Sequence, residues 1–415
     1  MEEGGIMPVL PMDGIRVLEV AQFTFTPSAG AVLADWGADV IKVEHAVTGD
    51  AQRGLRLGTG GAAVGSFQPL MEHPNRGKRS IGLALETDGG REVLYELARR
   101  SDVFVVNFLP DARRRLRIDL DDIRSVNPEI VYVRGSAHGQ RGPDAEKGGY
   151  DSATFWSRAG SAMGATPPDS PRVIGMPAGA YGDSIGGMTI AGGIAGALFA
   201  RERTGETSVV DVSLIGVGMW AMGLSINNAM LLGEDMPVPT LTAPANAAVN
   251  PTIGNFRTAD GRWINLTMLQ PGRYWADLCA HLELDELVAD ERFNTAEKLM
   301  ANASEAGRLV SERIASRPLA AWVERFATLE GQWAPNQTPL EVASDPQALA
   351  NGYVLAVHDE DGNERQLVAS PVQFDETPPS LRRAPQFAEH TDEILRELGH
   401  SEDAIIDLKV AGAVT

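Results

Sequence analysis

The chain has 415 residues, 43% of them hydrophobic, and carries 36 Lys and Arg against 56 Asp and Glu, for a formal net charge of −20. That length predicts roughly two to three domains with a sizeable core, and the acidic balance argues against a general nucleic-acid or anionic-membrane surface. A single cysteine, Cys279, excludes an internal disulfide framework and a cysteine-rich metal site, and fits a reducing cytoplasm.

The N-terminal Met1-Glu2-Glu3-Gly4-Gly5 lacks the basic and apolar regions of a secretory signal. Residues 14–20 read as a buried strand, 28–36 as a short helix and 40–44 as a second strand. This βαβ unit calls for a parallel sheet with right-handed crossovers. Its first turn, residues 21–27, offers no Gly-x-Gly-x-x-Gly cradle, so a nicotinamide dehydrogenase is not expected. Phosphoryl transfer and serine hydrolysis are not expected either.

A loop over 48–65 leads to the basic turn 75–79 and a strand through Leu83. A helix over 89–100, with Val93, Leu94 and Leu97 on one face, and a strand over 103–107 continue the alternation. Asn107-Phe108-Leu109-Pro110 ends that strand where doubly wound sheets place ligands. Arg113, Arg114, Arg115 and Arg117 follow at once and suit a phosphate-facing wall, because guanidinium pairs with phosphate bidentately. After a strand over 130–133, His138 sits among turn residues with no second metal ligand nearby.

Residues 178–187 present a lone acid, Asp183, between glycines and an uncharged helical run to Ala200. Aspartate there is either a helix cap or a reactive carboxylate, and the two roles are compatible. Residues 184–200 and 212–233 carry no charge but are broken by glycines, which favours buried helices over membrane spans. A strand over 209–212 feeds a helix over 213–232, and the Pro- and Ala-rich residues 235–251 mark a linker. Beyond it, strands over 254–258 and 263–268 form a hairpin, followed by helices over 272–284, 295–316 and 318–330. Strand and helix alternation returns over 341–368, and helices over 388–398 and 401–409 close the chain. The domains read as residues 1–234, 235–335 and 336–415, the last returning to the first.

Taken together, residues 14–19, 34–44, 75–81, 106–108, 182–184 and 389–399 resemble the family III CoA-transferases, the group of formyl-CoA and carnitine CoA-transferases, to which the α-methylacyl-CoA racemases are related. The resemblance implies an α/β fold: a Rossmann-like parallel-sheet domain plus a smaller α+β domain, in an interlocked homodimer. It implies Asp183 as the catalytic residue, CoA contacts at Phe23, Thr24, Phe25, His45, Leu83, Asn107 and Arg115, and Tyr150 beside the thioester. It further implies acyl-CoA and a carboxylic acid as substrates, with coenzyme A arriving as substrate rather than as a tightly bound cofactor; the residues themselves argue for no metal, no nucleic acid and no membrane insertion. The sequence departs from the formyl-CoA enzyme at His45, an arginine there, at Thr24, a glutamine there, and at the family's lysine, represented by Lys147 or Gly148.

A carboxylate that attacks a thioester leaves a mixed anhydride and so preserves acyl-transfer potential. Backbone N–H groups near residues 182–186 are candidates for the oxyanion. In the racemases a histidine stands where this chain has Tyr150, and tyrosine, with a reference pKa near 10, is a poor base at neutral pH. Transfer is therefore favoured over racemisation, with an acyl-CoA-binding protein without turnover as a third reading.

Overall fold

A computed structural model describes residues 10–55, 65–241 and 250–415. The loop expected over 48–65 and the linker over 235–251 fall partly outside those residues. The chain forms two compact units. One runs to Thr166 and takes in Arg172–Pro237 and Pro346–Thr415; the other comprises Pro167–Pro171 and Val238–Asp345.

The first unit is built on β1 (Arg16–Val20), β2 (Asp39–His45), β3 (Arg79–Leu83), β4 (Val103–Val106), β5 (Val131–Ser136) and β6 (Val209–Ser213), in the order β3-β2-β1-β4-β5-β6. Every pairing is parallel. The four residues of β4, Val-Phe-Val-Val, are all buried, as a strand covered on both faces requires. One face carries α3 (Asp88–Arg99), whose Val93, Leu94 and Leu97 meet Leu18, Ile41, Phe104 and Tyr132. Between β1 and β2 runs α1 (Phe25–Asp35), and after β5 comes α7 (Tyr181–Thr204), both on the opposite face with Val17, Val105 and Val133.

The first helix starts at Phe25, three residues before the expected start. Pro27 does not prevent this, since proline fits the first helical turn where its missing N–H is not needed. The expected helix over 213–232 is two helices, α8 (Leu214–Ala221) and α9 (Gly223–Leu232), bent by 73°. Among the described residues α7 is the one unbroken helix long and apolar enough to cross a membrane by length and composition, yet it packs along α1 and against β6.

The chain's last segment belongs to the same unit. Thr391 Oγ1 accepts the Gly82 N–H at 3.1 Å, Val414 bridges Leu83, and Ile394, Leu395 and Ile405 join the core beside Ile81. The second unit holds the antiparallel strands β7 (Ile253–Arg257), β8 (Trp263–Thr267) and β9 (Trp333–Pro335), the last not anticipated in the sequence. Its helices bury Trp275, Leu278, Trp322 and Phe326, and Trp322 donates its indole N–H to Ile314 O at 2.8 Å. Cys279 is buried there with its thiol pushed up to about 12, first by burial and then by Asp285 and Glu286.

Candidate active site

A cavity of about 590 Å³ opens at the carboxyl ends of β1, β4 and β5. The sheet's order reverses between β1 and β4, which is where open α/β sheets bind ligands. Phe23 lines it from the turn after β1 and Phe25 from the start of α1, Asn107 to Pro110 from the end of β4, and Gly135 to Ala137 from the end of β5. Arg113 and Arg115 come from α4 (Pro110–Leu116), Lys147 and Tyr150 from the loop after β5, and Asp183 from α7. Asp183 is the one acid among these lining residues.

Its position follows from glycine spacing. A Cβ at Gly186 would come within 2.2 Å of the Phe25 ring, and one at Gly187 within 2.4 Å of Ser28 Cβ. Glycine at these positions lets the first turn of α7 press against α1, which brings Asp183 into the wall beside Phe25. Asp183 is the third residue of the helix, and the residue before the helix, Ala180, is left-handed and offers no side-chain cap.

Asp151, which follows Tyr150, fills part of that gap. One carboxylate oxygen accepts the Ser152 N–H at 2.7 Å, while the first-turn amides of Gly182 and Asp183 attract the carboxylate from longer range; its Oδ2 has no close partner. Burial nevertheless raises the Asp151 pKa. The Asp183 carboxyl is pushed up to about 7, first by burial and then by the negative charge of Asp151. Asp151 begins a π-helical turn, Ser152–Arg158, a local distortion often found at functional sites. No local motif marks Asp151 as a partner of Asp183; their meeting depends on where that turn lies against α7.

Gly182, Ser184 and Gly186 do have the Gly-x-Ser-x-Gly spacing of a serine-hydrolase elbow, which needs a strand-to-helix turn with an open hydroxyl. Here Ser184 lies within the helix and outside the cavity lining, its hydroxyl directed at Ala180 O, 2.9 Å away. His73 Nε2 lies 3.0 Å from Ser184 Oγ. Burial and then Arg76 depress the His73 pKa to about 4, so the ring is neutral at physiological pH.

Of the residues singled out in the sequence, Phe23, Phe25, Asn107, Arg115, Tyr150 and Asp183 meet in this cavity, and Thr24, His45 and Leu83 are not among its lining. Thr24 is buried and donates to Gln52 Oε1 at 2.9 Å. His45, at the end of β2, turns to Glu86 and to the Val47 and Thr48 amides. Leu83 is fully buried beside Val414. The arginine cluster divides as well. Arg113 is buried against Asp119 and Phe108 O, Arg114 pairs with Asp111 and Glu146, and Arg115 reaches the cavity with no partner among the described residues. Trp156 and Tyr181 lie outside the lining, whereas Phe23 and Tyr150 stand edge to face at 5.5 Å. Among the described residues no three potential metal ligands gather.

The sequence pattern of CoA-transferase family III matches residues 12–391. The chain is 30% identical, over 95% of each chain, to cinnamoyl-CoA:phenyllactate CoA-transferase of Clostridium sporogenes. It is 26% identical to (R)-2-hydroxy-4-methylpentanoate CoA-transferase of Clostridioides difficile, over 96% of this chain and 98% of that one. The crystal structure of a CAIB/BAIF family protein from Brucella suis superposes with a TM-score of 0.78 at 29% identity, covering 94% of this chain and all of that one.

Proposed function

The chain belongs to CoA-transferase family III, and on that premise we propose that it moves CoA from an acyl-CoA to a carboxylic acid through covalent adducts on Asp183. The carrying observation is the placement of a single, partly desolvated carboxylate in a cavity whose other lining side chains are aromatic, aliphatic, cationic or neutral polar.

In this reading the Asp183 carboxylate adds to the thioester carbonyl; a C–O bond forms, the C–S bond breaks, and CoA departs as thiolate. The thiolate attacks the aspartyl carbonyl of the mixed anhydride, releasing the donor acid as a carboxylate and leaving an aspartyl-CoA thioester. The acceptor carboxylate then displaces the thiolate to form a second anhydride. Finally the thiolate attacks the acceptor's acyl carbonyl, giving the new acyl-CoA and the free Asp183 carboxylate. No proton is consumed overall. Backbone amides at the start of α7 supply the oxyanion donors, apart from that of Ser184, which is committed to Ala180 O.

Arg115, without a carboxylate partner, supplies a cation for a CoA phosphate. Phe23, Phe25, Phe108 and Leu109 suit the aliphatic segments of the pantetheine arm. The reading extends to a homodimer working in the cytoplasm. No residue of α9 is buried, and Trp220, Leu224 and Leu231 are 88%, 79% and 82% exposed, an apolar surface that a second copy would cover.

The test is incubation with a panel of acyl-CoAs followed by hydroxylamine and mass spectrometry of the peptide containing Asp183. A hydroxamate or CoA mass on that peptide, absent from Asp183→Ala, supports the reading; full turnover by Asp183→Ala rejects it. Light scattering on the eluting protein tests the dimer, which a monomer mass at micromolar concentration would overturn.

A further inference from the structure

The turn that follows β1 is clamped by a side chain at each of four successive residues. Lys42 Nζ donates to Ala21 O at 2.9 Å. Asn107 grips Gln22 from both sides, accepting its N–H at 3.0 Å and donating to its carbonyl at 2.7 Å. Asp50 Oδ1 accepts the Phe23 N–H at 3.2 Å, and Gln52 takes the Thr24 hydroxyl. The turn needs such restraint, because Phe23 has φ +65, a left-handed conformation that an aromatic residue rarely adopts. Holding it costs about as much as one ordinary hydrogen bond returns.

Asp50 is the hub of that restraint. Besides Phe23 it accepts the Gln52 N–H at 2.9 Å, and its own N–H is held by Glu44 Oε2 at 2.9 Å. Its other oxygen lies 2.8 Å from Lys42 Nζ, both groups fully buried. Lys42 also faces Glu19, which Lys78 meets at 2.7 Å, and Glu44 pairs with Arg53. Lys42 and Arg53, with Lys78, whose ammonium burial pulls down to about 7, thus face three carboxylates beneath the turn, so Asp50 is fixed from below while its free edge holds the cavity wall. Above it the Phe23 ring meets Tyr150, which is 62% exposed and has Phe23 as its one ring contact among the described residues.

We propose that Asp50 is a positioning residue for substrate: by holding Phe23 in its left-handed conformation it fixes the Phe23 and Tyr150 pair as one wall of the cavity. The inference rests on that cavity being the acyl-CoA site. Asp50 itself is absent from the cavity lining and touches no reacting atom.

The experiment measures KM for an acyl-CoA that the enzyme turns over, and Kd for free CoA by calorimetry, in Asp50→Ala and Asp50→Asn. Asp50→Ala removes the acceptor and raises both constants about tenfold, with kcat within about twofold of the starting protein. Asp50→Asn keeps an acceptor for Phe23 only by turning its amide toward Lys42, and raises both constants about threefold. A purely structural role lowers the melting temperature and the active fraction while leaving KM and Kd of the folded protein unchanged, and that result overturns the proposal. If Asp50→Ala fails to fold, Asp50→Asn decides alone by the same criterion. Free-CoA binding makes this outcome separable from that of Asp183: turnover surviving in Asp183→Ala rejects the covalent mechanism, whereas unchanged CoA binding in the Asp50 variants rejects only the positioning role.

Discussion

Two groups of buried ionisable residues serve the same cavity and are treated in opposite ways. Beneath the turn after β1, Glu19, Lys42, Asp50, Lys78, Glu44 and Arg53 satisfy one another at 2.7 to 3.4 Å. At the start of α7, Asp183 and Asp151 share a sign, and among the described residues no cation offsets their burial. Burying charge is tolerable when each charge is matched and hydrogen-bonded, and otherwise the proton returns. The first group is therefore a fixed scaffold. The second holds a carboxyl near its titration point, partly stripped of water, which is the condition a nucleophilic carboxylate requires.

Disabling the unmatched side gives the largest effect. Asp183→Asn keeps the shape of the site but lowers kcat by at least about a thousandfold, read from acyl exchange between donor and acceptor acids. On the matched side, Lys42→Met leaves Asp50 and Glu19 short of a cation, and urea unfolding of the full chain shows a loss of about 3 to 5 kcal/mol. An unchanged midpoint would mean that the scaffold carries no net stability.

The contrast sharpens with pH. The folded state keeps the Asp183 proton up to about 7, whereas the unfolded chain releases it near 3.8, so this group's contribution to stability falls as pH climbs through that window and is flat above it. Asp183→Asn removes this slope and is more stable at pH 8 by up to about 4 kcal/mol, checked by thermal melts at pH 5 and 8. In the starting protein, kcat/KM for acyl-CoA rises as Asp183 ionises through about 7. The smallest effect belongs to Asp151→Asn. Since burial is the larger cause and Asp151 the lesser, the acidic limb of the pH profile moves to lower pH but stays above the ordinary carboxylate range.

What the sequence made legible is local. Strand-helix alternation around Val17, Ile41 and Val103 announced the parallel sheet, and glycines flanking an isolated acid singled out Asp183, which lies in the cavity lining. Less legible was anything set by distant partners. Asp50 gains its role from Lys42 and Phe23, and Asp151 from a π-helical turn laid beside α7; neither has a motif. The break at Met222 and Gly223 hid within a run free of charged residues, and short β9 is fixed mainly by pairing with β8. His45 and Leu83 lie at carboxyl ends of strands, but the His45 ring turns to Glu86 and Leu83 is buried in the core, so neither joins the cavity lining. Position along the chain says where a residue ends up in the sheet more reliably than which way its side chain faces.

The bond from Gly82 to Thr391 spans 309 residues. During vectorial synthesis β3 emerges early, yet the polypeptide that covers it is still untranslated while the whole second unit is being made. An outer strand of the parallel sheet thus stays uncovered for most of translation, a window in which nascent chains are prone to aggregation and chaperone capture. Slowing elongation after the second unit would lengthen that window, and the yield of soluble protein would report it.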